Sequence, residues 1–118
     1  MCLAVPMKLI EVRADGTGIA DLDRKTAGLH PGSLIVIGAR PSMGKSDLAL
    51  NIALNAAEAG HHVGFFSLEM SRELLTNRAL GRLTRIPATV QISGLVDDDQ
   101  IPALVRAAGT LRDLPLHI

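Results

Sequence analysis

Hydrophobic and polar positions follow two different periods in the first half of the chain. Residues 33–38 form an apolar run bounded by glycines, and residues 62–68 form a second run. Short apolar runs between turn residues are typical of strands buried in a parallel sheet. Between them, residues 45–59 carry leucine, isoleucine and alanine at helical spacing, and Gly60 follows as a stop signal. The pattern therefore predicts a strand, a helix and a strand in succession.

The alternation of predicted strands and helices continues in the second half of the chain. Ser71 predicts the start of a helix that reaches about Arg85, with Glu73 in its first turn. Residues 86–96 contain a proline and a glycine and are interpreted as a loop. Residues 114–118 are again apolar and predict the beginning of a third strand.

A third helix is predicted between that loop and the third strand. The acidic residues 97–99 indicate its start, and Pro102, which lacks an amide hydrogen, fits only its first turn. The cap is therefore expected nearer Asp99 than Asp97. One predicted face is apolar and consists of Ile101, Leu104, Val105, Ala108 and Leu111.

The order of elements predicts an α/β fold with a parallel sheet flanked by helices. Near the amino terminus, residues 3–12 are predicted to be extended, and Asp15-Gly16 is a good two-residue turn before residues 17–22. A small strand or hairpin is thus expected to precede the α/β part.

Composition limits the classes of protein that fit. A chain of 118 residues, 47% hydrophobic and 20% charged, suits one globular domain. Twelve basic and twelve acidic residues give no net charge, so contact with nucleic acid would have to be local. No apolar run approaches the roughly 18 residues of a membrane helix, and no signal peptide is evident, so a cytoplasmic protein is expected. A single cysteine, Cys2, excludes an internal disulfide.

A phosphate-binding loop is predicted where the first strand meets the first helix. Gly44, Lys45 and Ser46 match the end of the P-loop pattern, in which backbone amides and a lysine hold phosphates and a hydroxyl ligates magnesium. The pattern's first glycine is replaced by Ala39, which suits an ordinary backbone conformation. The predicted nucleotide-contacting residues are Ala39, Arg40, Pro41, Ser42, Met43, Gly44, Lys45 and Ser46.

Glu69 follows the second apolar run directly, at the edge of the predicted sheet where ligands bind in α/β proteins. Two interpretations stay open from the residues alone. The carboxylate would orient or deprotonate an attacking water, or it would only begin the next helix. Arg78, Arg82 and Arg85 share one stripe of that helix and are interpreted as solvated surface in preference to phosphate ligands.

Several of these segments together resemble a known family. They are Thr17-Gly18, Asp21-Leu22-Asp23-Arg24, Thr26-Ala27-Gly28-Leu29, Pro31-Gly32, Ala39-Arg-Pro-Ser-Met-Gly-Lys-Ser46, Leu50-Asn51-Ile52-Ala53 and Phe66-Ser67-Leu68-Glu69-Met70-Ser71. In this combination they resemble the RecA-like motor domain of DnaB-type replicative helicases over about residues 17–118. The resemblance implies a P-loop ATPase that binds ATP and magnesium, works as a homohexamer on single-stranded DNA and meets a primase and a helicase loader.

The same resemblance assigns roles to three residues. Lys45 would hold the outer phosphates, Ser46 would ligate magnesium, and Glu69 would be the catalytic base. Other parts of the family's motor have no counterpart in these residues: a second magnesium carboxylate, the DNA-binding loops, the arginine finger and the amino-terminal collar. An incomplete RecA-like domain is therefore expected, with weak nucleotide binding and no unwinding by the chain alone.

A second resemblance concerns the start of the chain. Met1-Cys2-Leu3-Ala4-Val5-Pro6, with Lys8-Leu9-Ile10-Glu11-Val12 after it, is similar to the amino terminus of HypC-type hydrogenase-maturation chaperones and extends to about residue 23. It implies an iron-binding Cys2. The expected division is thus an extended segment over 1–16 and a P-loop part over 17–118. The alternatives are a HypC-type chaperone, another RecA-like ATPase of the recombination or circadian-clock type, and an inactive fragment.

Overall fold

The computed structural model of the chain describes residues 28–30, 32–38, 40 and 42–118. The predicted amino-terminal strand or hairpin lies outside the described residues, and so do Cys2, Ala39 and Pro41. Within the described part the elements are α1 (Lys45–Glu58), β1 (Val63–Gly64), α2 (Arg72–Thr84), α3 (Ala88–Ser93), α4 (Ile101–Asp113) and β2 (Leu116–His117).

The two strands pair in parallel, with Val63 opposite Leu116 and Gly64 opposite His117. Parallel pairing requires a long crossover, and the three helices between the strands provide it. The predicted third strand at residues 114–118 is therefore confirmed in its position, and the fold is a mixture of helices with a small parallel sheet.

Helix α1 forms the centre of the core and contacts both strands and α2. Its small side chains allow this close packing, because alanine keeps the helix axis near the neighbouring backbone. The fully buried core side chains of largest volume are Leu54, Leu75 and Val63, which belong to α1, α2 and β1. The buried residues of α1 are Ala49, Leu50, Ile52, Ala53, Leu54, Ala56 and Ala57.

Helix α2 begins where the sequence predicts it. Ser71 is the N-cap, and its hydroxyl oxygen accepts a hydrogen bond from the Leu74 amide at 3.3 Å. The helix ends at Arg85, whose backbone is left-handed (φ 62°) and whose N–H donates to the carbonyl of Gly81. This cap satisfies one of the last carbonyls of the helix.

Helix α3 lies within a segment predicted to be a loop, so that prediction is wrong. Contacts with α2 and with the residue that precedes Pro87 hold this short helix in place: the side-chain amide of Gln91 donates to the carbonyls of Asn77 in α2 (3.2 Å) and of Ile86 (2.8 Å). Gly81 of α2 makes room for it, because a Cβ at this position would lie 3.0 Å from the Ile86 carbonyl oxygen. These contacts are tertiary and leave no local signal in the sequence.

Helix α4 begins close to its predicted start but buries a different face. Its N-cap is Gln100, next to Asp99, and Pro102 falls in the first turn, where its missing amide costs nothing. The buried side is centred on Ala107, whereas Ile101 and Val105 of the predicted apolar face are exposed. The helix contacts α2, and Ala107 is its buried residue.

The predicted buried strands are shorter and more exposed than expected. Residues 33–38 contain a single bridge residue, Ile35, while Leu34 and Val36 are each 70% exposed. In the second run only residues 63–64 form strand, and Phe66 and Leu68 are exposed. Extended chains present alternate residues to opposite faces, and here only one face is covered by the described helices. No described helix is long and apolar enough to cross a membrane.

Candidate phosphate-binding site

A tight turn leads from the extended residues 33–38 into α1. The Met43 amide donates to the carbonyl of Arg40 at 3.3 Å, and Ser42 and Gly44 both have positive φ, 63° and 77°. Lys45 is the first residue of the helix, and the first helical hydrogen bond runs from the Leu48 amide to the carbonyl of Gly44 at 2.9 Å. Two of the three residues that precede α1 thus have a left-handed backbone, and no side chain caps the helix N-terminus.

Gly44 is required by the backbone conformation. A left-handed φ is readily adopted only by glycine, and a Cβ built at Gly44 meets no described atom within 4 Å. The constraint is thus conformational, and the space beside the glycine is free for a ligand. The helix-start amides carry partial positive charge and have no partner inside the helix, so they suit an anion.

The turn forms one wall of a cleft of about 550 Å³. Ligand sites in proteins have volumes of about 300–1,000 Å³, so the cleft is large enough for a nucleotide. Lys45 and Ser46, which are half-buried, line it together with the exposed Glu69 and with Arg78 from α2. The complete lining is Arg40, Ser42, Met43, Gly44, Lys45, Ser46, Asp47, Glu69, Met70 and Arg78.

Glu69 is carried by a short ordered loop between β1 and α2. The Ser67 hydroxyl donates to the Met70 carbonyl at 2.8 Å, and its oxygen accepts from the Met70 amide at 3.1 Å. These two bonds close the loop around Leu68 and Glu69, as serine commonly does in turns. Glu69 lines the same cleft as Lys45 and Ser46 and lies five residues after the end of β1.

Two arginines of α2 connect it to α1, so their interpretation as solvated surface is wrong. Arg78 donates through Nη1 to Asp47 Oδ1 at 2.6 Å. Arg82 donates to the carbonyl of Asn51 at 3.3 Å, to the Asn55 side chain and to Glu58 Oε2 at 3.4 Å.

Sequence reasoning missed Ser67 and Asp47 beside the site, and it interpreted Arg78 as solvated surface in preference to a phosphate ligand. The arginines on one helix and the polar residues on the other have matching spacing. This spacing predicts contacts only when the two helices are known to be neighbours.

An extended segment, a turn with a left-handed glycine and a helix that begins with Lys45 and Ser46 define a protein of the P-loop class. The family follows from a wider stretch of the chain. Residues 16–118 match the family model described as DnaB-like helicase C terminal domain. The chain belongs to this family.

Curated relatives agree with the match. The replicative DNA helicase DnaB of Helicobacter pylori is 50% identical over 91 residues, which cover 77% of this chain and 19% of the relative. The replicative DNA helicase DnaB of Rickettsia conorii is 40% identical over 113 residues, covering 86% and 23%. That of Leifsonia xyli is 40% identical over 104 residues, covering 86% and 22%.

The matches cover only part of the relatives and not the whole of this chain. The chain spans about a fifth of the length of these curated relatives. The family match includes residues 17–23, which the two resemblances share, and leaves out residues 1–15. These three relatives support neither the HypC-type alternative nor another RecA-like ATPase.

Proposed function

We propose that this chain forms the nucleotide-binding part of a replicative helicase motor with a RecA-like fold. The observation that carries the proposal is the left-handed turn at Gly44, which opens the N-terminus of α1 toward the cleft that also receives Lys45, Ser46 and Glu69. The family match supports it. We also propose a division near residue 16, with an extended segment over 1–16 and the P-loop part over 17–118.

The residues present fit ATP with magnesium. The amides of the turn would hold the inner phosphates, and the Lys45 ammonium would pair with the outer ones. The Ser46 hydroxyl, next to Lys45 in the first turn of α1, would be a magnesium ligand, and magnesium would neutralise charge on the phosphates. Residues 39–43 are proposed to complete the set of nucleotide contacts.

Glu69 is proposed as the residue that orients the attacking water. A carboxylate that lines the same cleft as the phosphate turn would accept a hydrogen bond from water and take its proton as the water oxygen bonds to the γ-phosphorus and the bond from that phosphorus to the ADP leaving group breaks. Translocation on single-stranded DNA, a hexameric ring, and contacts with a primase and a loader in the cytoplasm are proposed for the whole helicase. The relatives' name, replicative DNA helicase, supports the action on DNA, whereas the ring, the primase and the loader are implied by the family resemblance.

The proposal is tested by titrating a fluorescent ATP analogue with magnesium against the wild-type chain and Lys45→Ala. Hydrogen bonds to charged groups contribute about 1.5–3 kcal/mol, so the dissociation constant is expected to rise about tenfold to a hundredfold. Arg106→Ala is the matched control, because it also removes one cation but from the exposed side of α4. Equal binding by wild type and Lys45→Ala would refute the proposal.

A further inference from the structure

A carboxylate lies at the entrance of the phosphate site. Asp47 is the third residue of α1, directly after Lys45 and Ser46, and it lines the same cleft. Its side chain is about half exposed, at 54%. An uncompensated negative charge at this place would repel the phosphates that the helix N-terminus attracts. A cation that pairs with Asp47 would remove this repulsion.

Arg78 is placed to compensate this charge. Its guanidinium reaches Asp47 from α2 at 2.6 Å, is 35% exposed and lines the cleft as well. Arg82, one turn later, makes similar contacts with α1, through Asn51, Asn55 and Glu58. Unlike Arg78, it does not border the cleft. The two arginines thus share the structural contact between the helices, and only Arg78 combines it with proximity to the phosphates.

We propose that Arg78 is a positioning residue for nucleotide binding, which pairs with Asp47 and keeps its carboxylate from repelling phosphate. This inference rests on the proposed function and adds to it a residue outside the P-loop. The role is electrostatic. A partly exposed ion pair contributes little to stability, so its removal is expected to change affinity without unfolding the chain.

The test measures dissociation constants of the fluorescent ATP analogue, with magnesium, for the wild type and its variants. An uncompensated unit charge roughly 10 Å from a phosphate changes affinity about tenfold at an effective dielectric constant of about 20, so Arg78→Met is expected to bind roughly tenfold more weakly. Asp47→Asn with Arg78→Met has the same net charge as the wild type and is expected to bind as it does. Asp47→Asn alone is expected to bind more tightly.

Arg82→Met is the matched control. It removes the same kind of side chain and a similar set of interhelical bonds, and it is expected to leave affinity unchanged. The deficit of Arg78→Met is expected to shrink as salt is raised from low to physiological concentration, because exposed charges are screened. Arg78→Lys keeps the charge and is expected to retain most of the affinity.

Each contrary result has a distinct meaning. If the double variant remains as weak as Arg78→Met, the guanidinium contacts phosphate directly and the proposed compensation is wrong. If Arg82→Met weakens binding equally, helix packing explains the effect and the inference is overturned. If Arg78→Met does not fold, Asp47→Asn decides alone, since weaker binding overturns the inference. Loss of analogue binding by the wild type would overturn the proposed function and this inference together, whereas Lys45-dependent binding that Arg78→Met leaves intact overturns only the inference.

Discussion

Alanine at position 44 separates the conformational role of the turn from its role in binding. Gly44 has φ 77° and ψ 18°, and a Cβ would meet no described atom within 4 Å. Gly44→Ala is therefore expected to lower the free energy of unfolding through backbone strain alone, by about 1–2 kcal/mol for a left-handed non-glycine residue. Each kcal/mol corresponds to a fall in Tm of about 4–8 °C for a domain of this size class.

Binding is expected to suffer more than stability. If the backbone relieves the strain by returning φ to negative values, the amides of the turn rotate away from the cleft. Each hydrogen bond to a charged phosphate contributes about 1.5–3 kcal/mol, so the loss of one of them weakens binding about tenfold or more. Thermal unfolding gives the first quantity, and titration with the fluorescent ATP analogue gives the second.

Gly60 supplies the control for this prediction. It follows α1, has φ 87°, and likewise has no described atom within 4 Å of a built Cβ. Gly60→Ala should therefore lower Tm by about the same amount as Gly44→Ala and leave the dissociation constant unchanged. Equal losses of affinity in the two variants, or unimpaired binding by Gly44→Ala, would contradict the reasoning.

Three further predictions concern the helices. Leu54→Ala removes a fully buried side chain and is expected to cost about 2–5 kcal/mol in chemical denaturation, whereas Leu95→Ala, at an exposed position, should be near neutral; similar values for both would contradict the assigned core. Ser71→Ala loses the hydroxyl that caps α2 and should lower the free energy of unfolding by about 1 kcal/mol, and an unchanged value would show that the cap contributes nothing. The pKa of Glu73 lies below its ordinary value because its own backbone amide and the Ser71 hydroxyl donate to the carboxylate. A depressed folded-state pKa means that this stabilisation is present at neutral pH and is lost as the pH falls through the acidic range, so an acid titration of Glu73→Gln should show a shallower loss of stability than the wild type.

Local signals predicted the helices best. Ser71 followed by Glu73 predicted the start of α2, and the alanine and leucine spacing after Gly-Lys-Ser predicted α1, because capping and helical periodicity depend on neighbouring residues in the sequence. The candidate phosphate turn was predictable for the same reason. Its motif is continuous, and its glycine corresponds to one backbone conformation.

Features that depend on distant contacts were not predictable. The exposure of Leu34 and Leu68 depends on which elements cover the sheet, and an apolar run carries no information about this. The side-chain amide of Gln91 holds helix α3 in place. The helix also needs the space above Gly81, which lies ten residues before Gln91. The pairing of Arg78 with Asp47 joins residues thirty-one positions apart, so a stripe of arginines resembled solvated surface.

The phosphate turn leads into α1, the most deeply buried helix of the described residues. Ligand binding at the turn is therefore expected to affect backbone amides that lie away from the ligand. Backbone amides inside α1, around Ile52 to Ala57, exchange hydrogen with solvent only through large-scale opening, because they are surrounded by the core. A ligand that binds the folded state alone slows such opening about tenfold for each tenfold rise in its concentration above the dissociation constant. Amides that never touch the nucleotide would therefore report its occupancy.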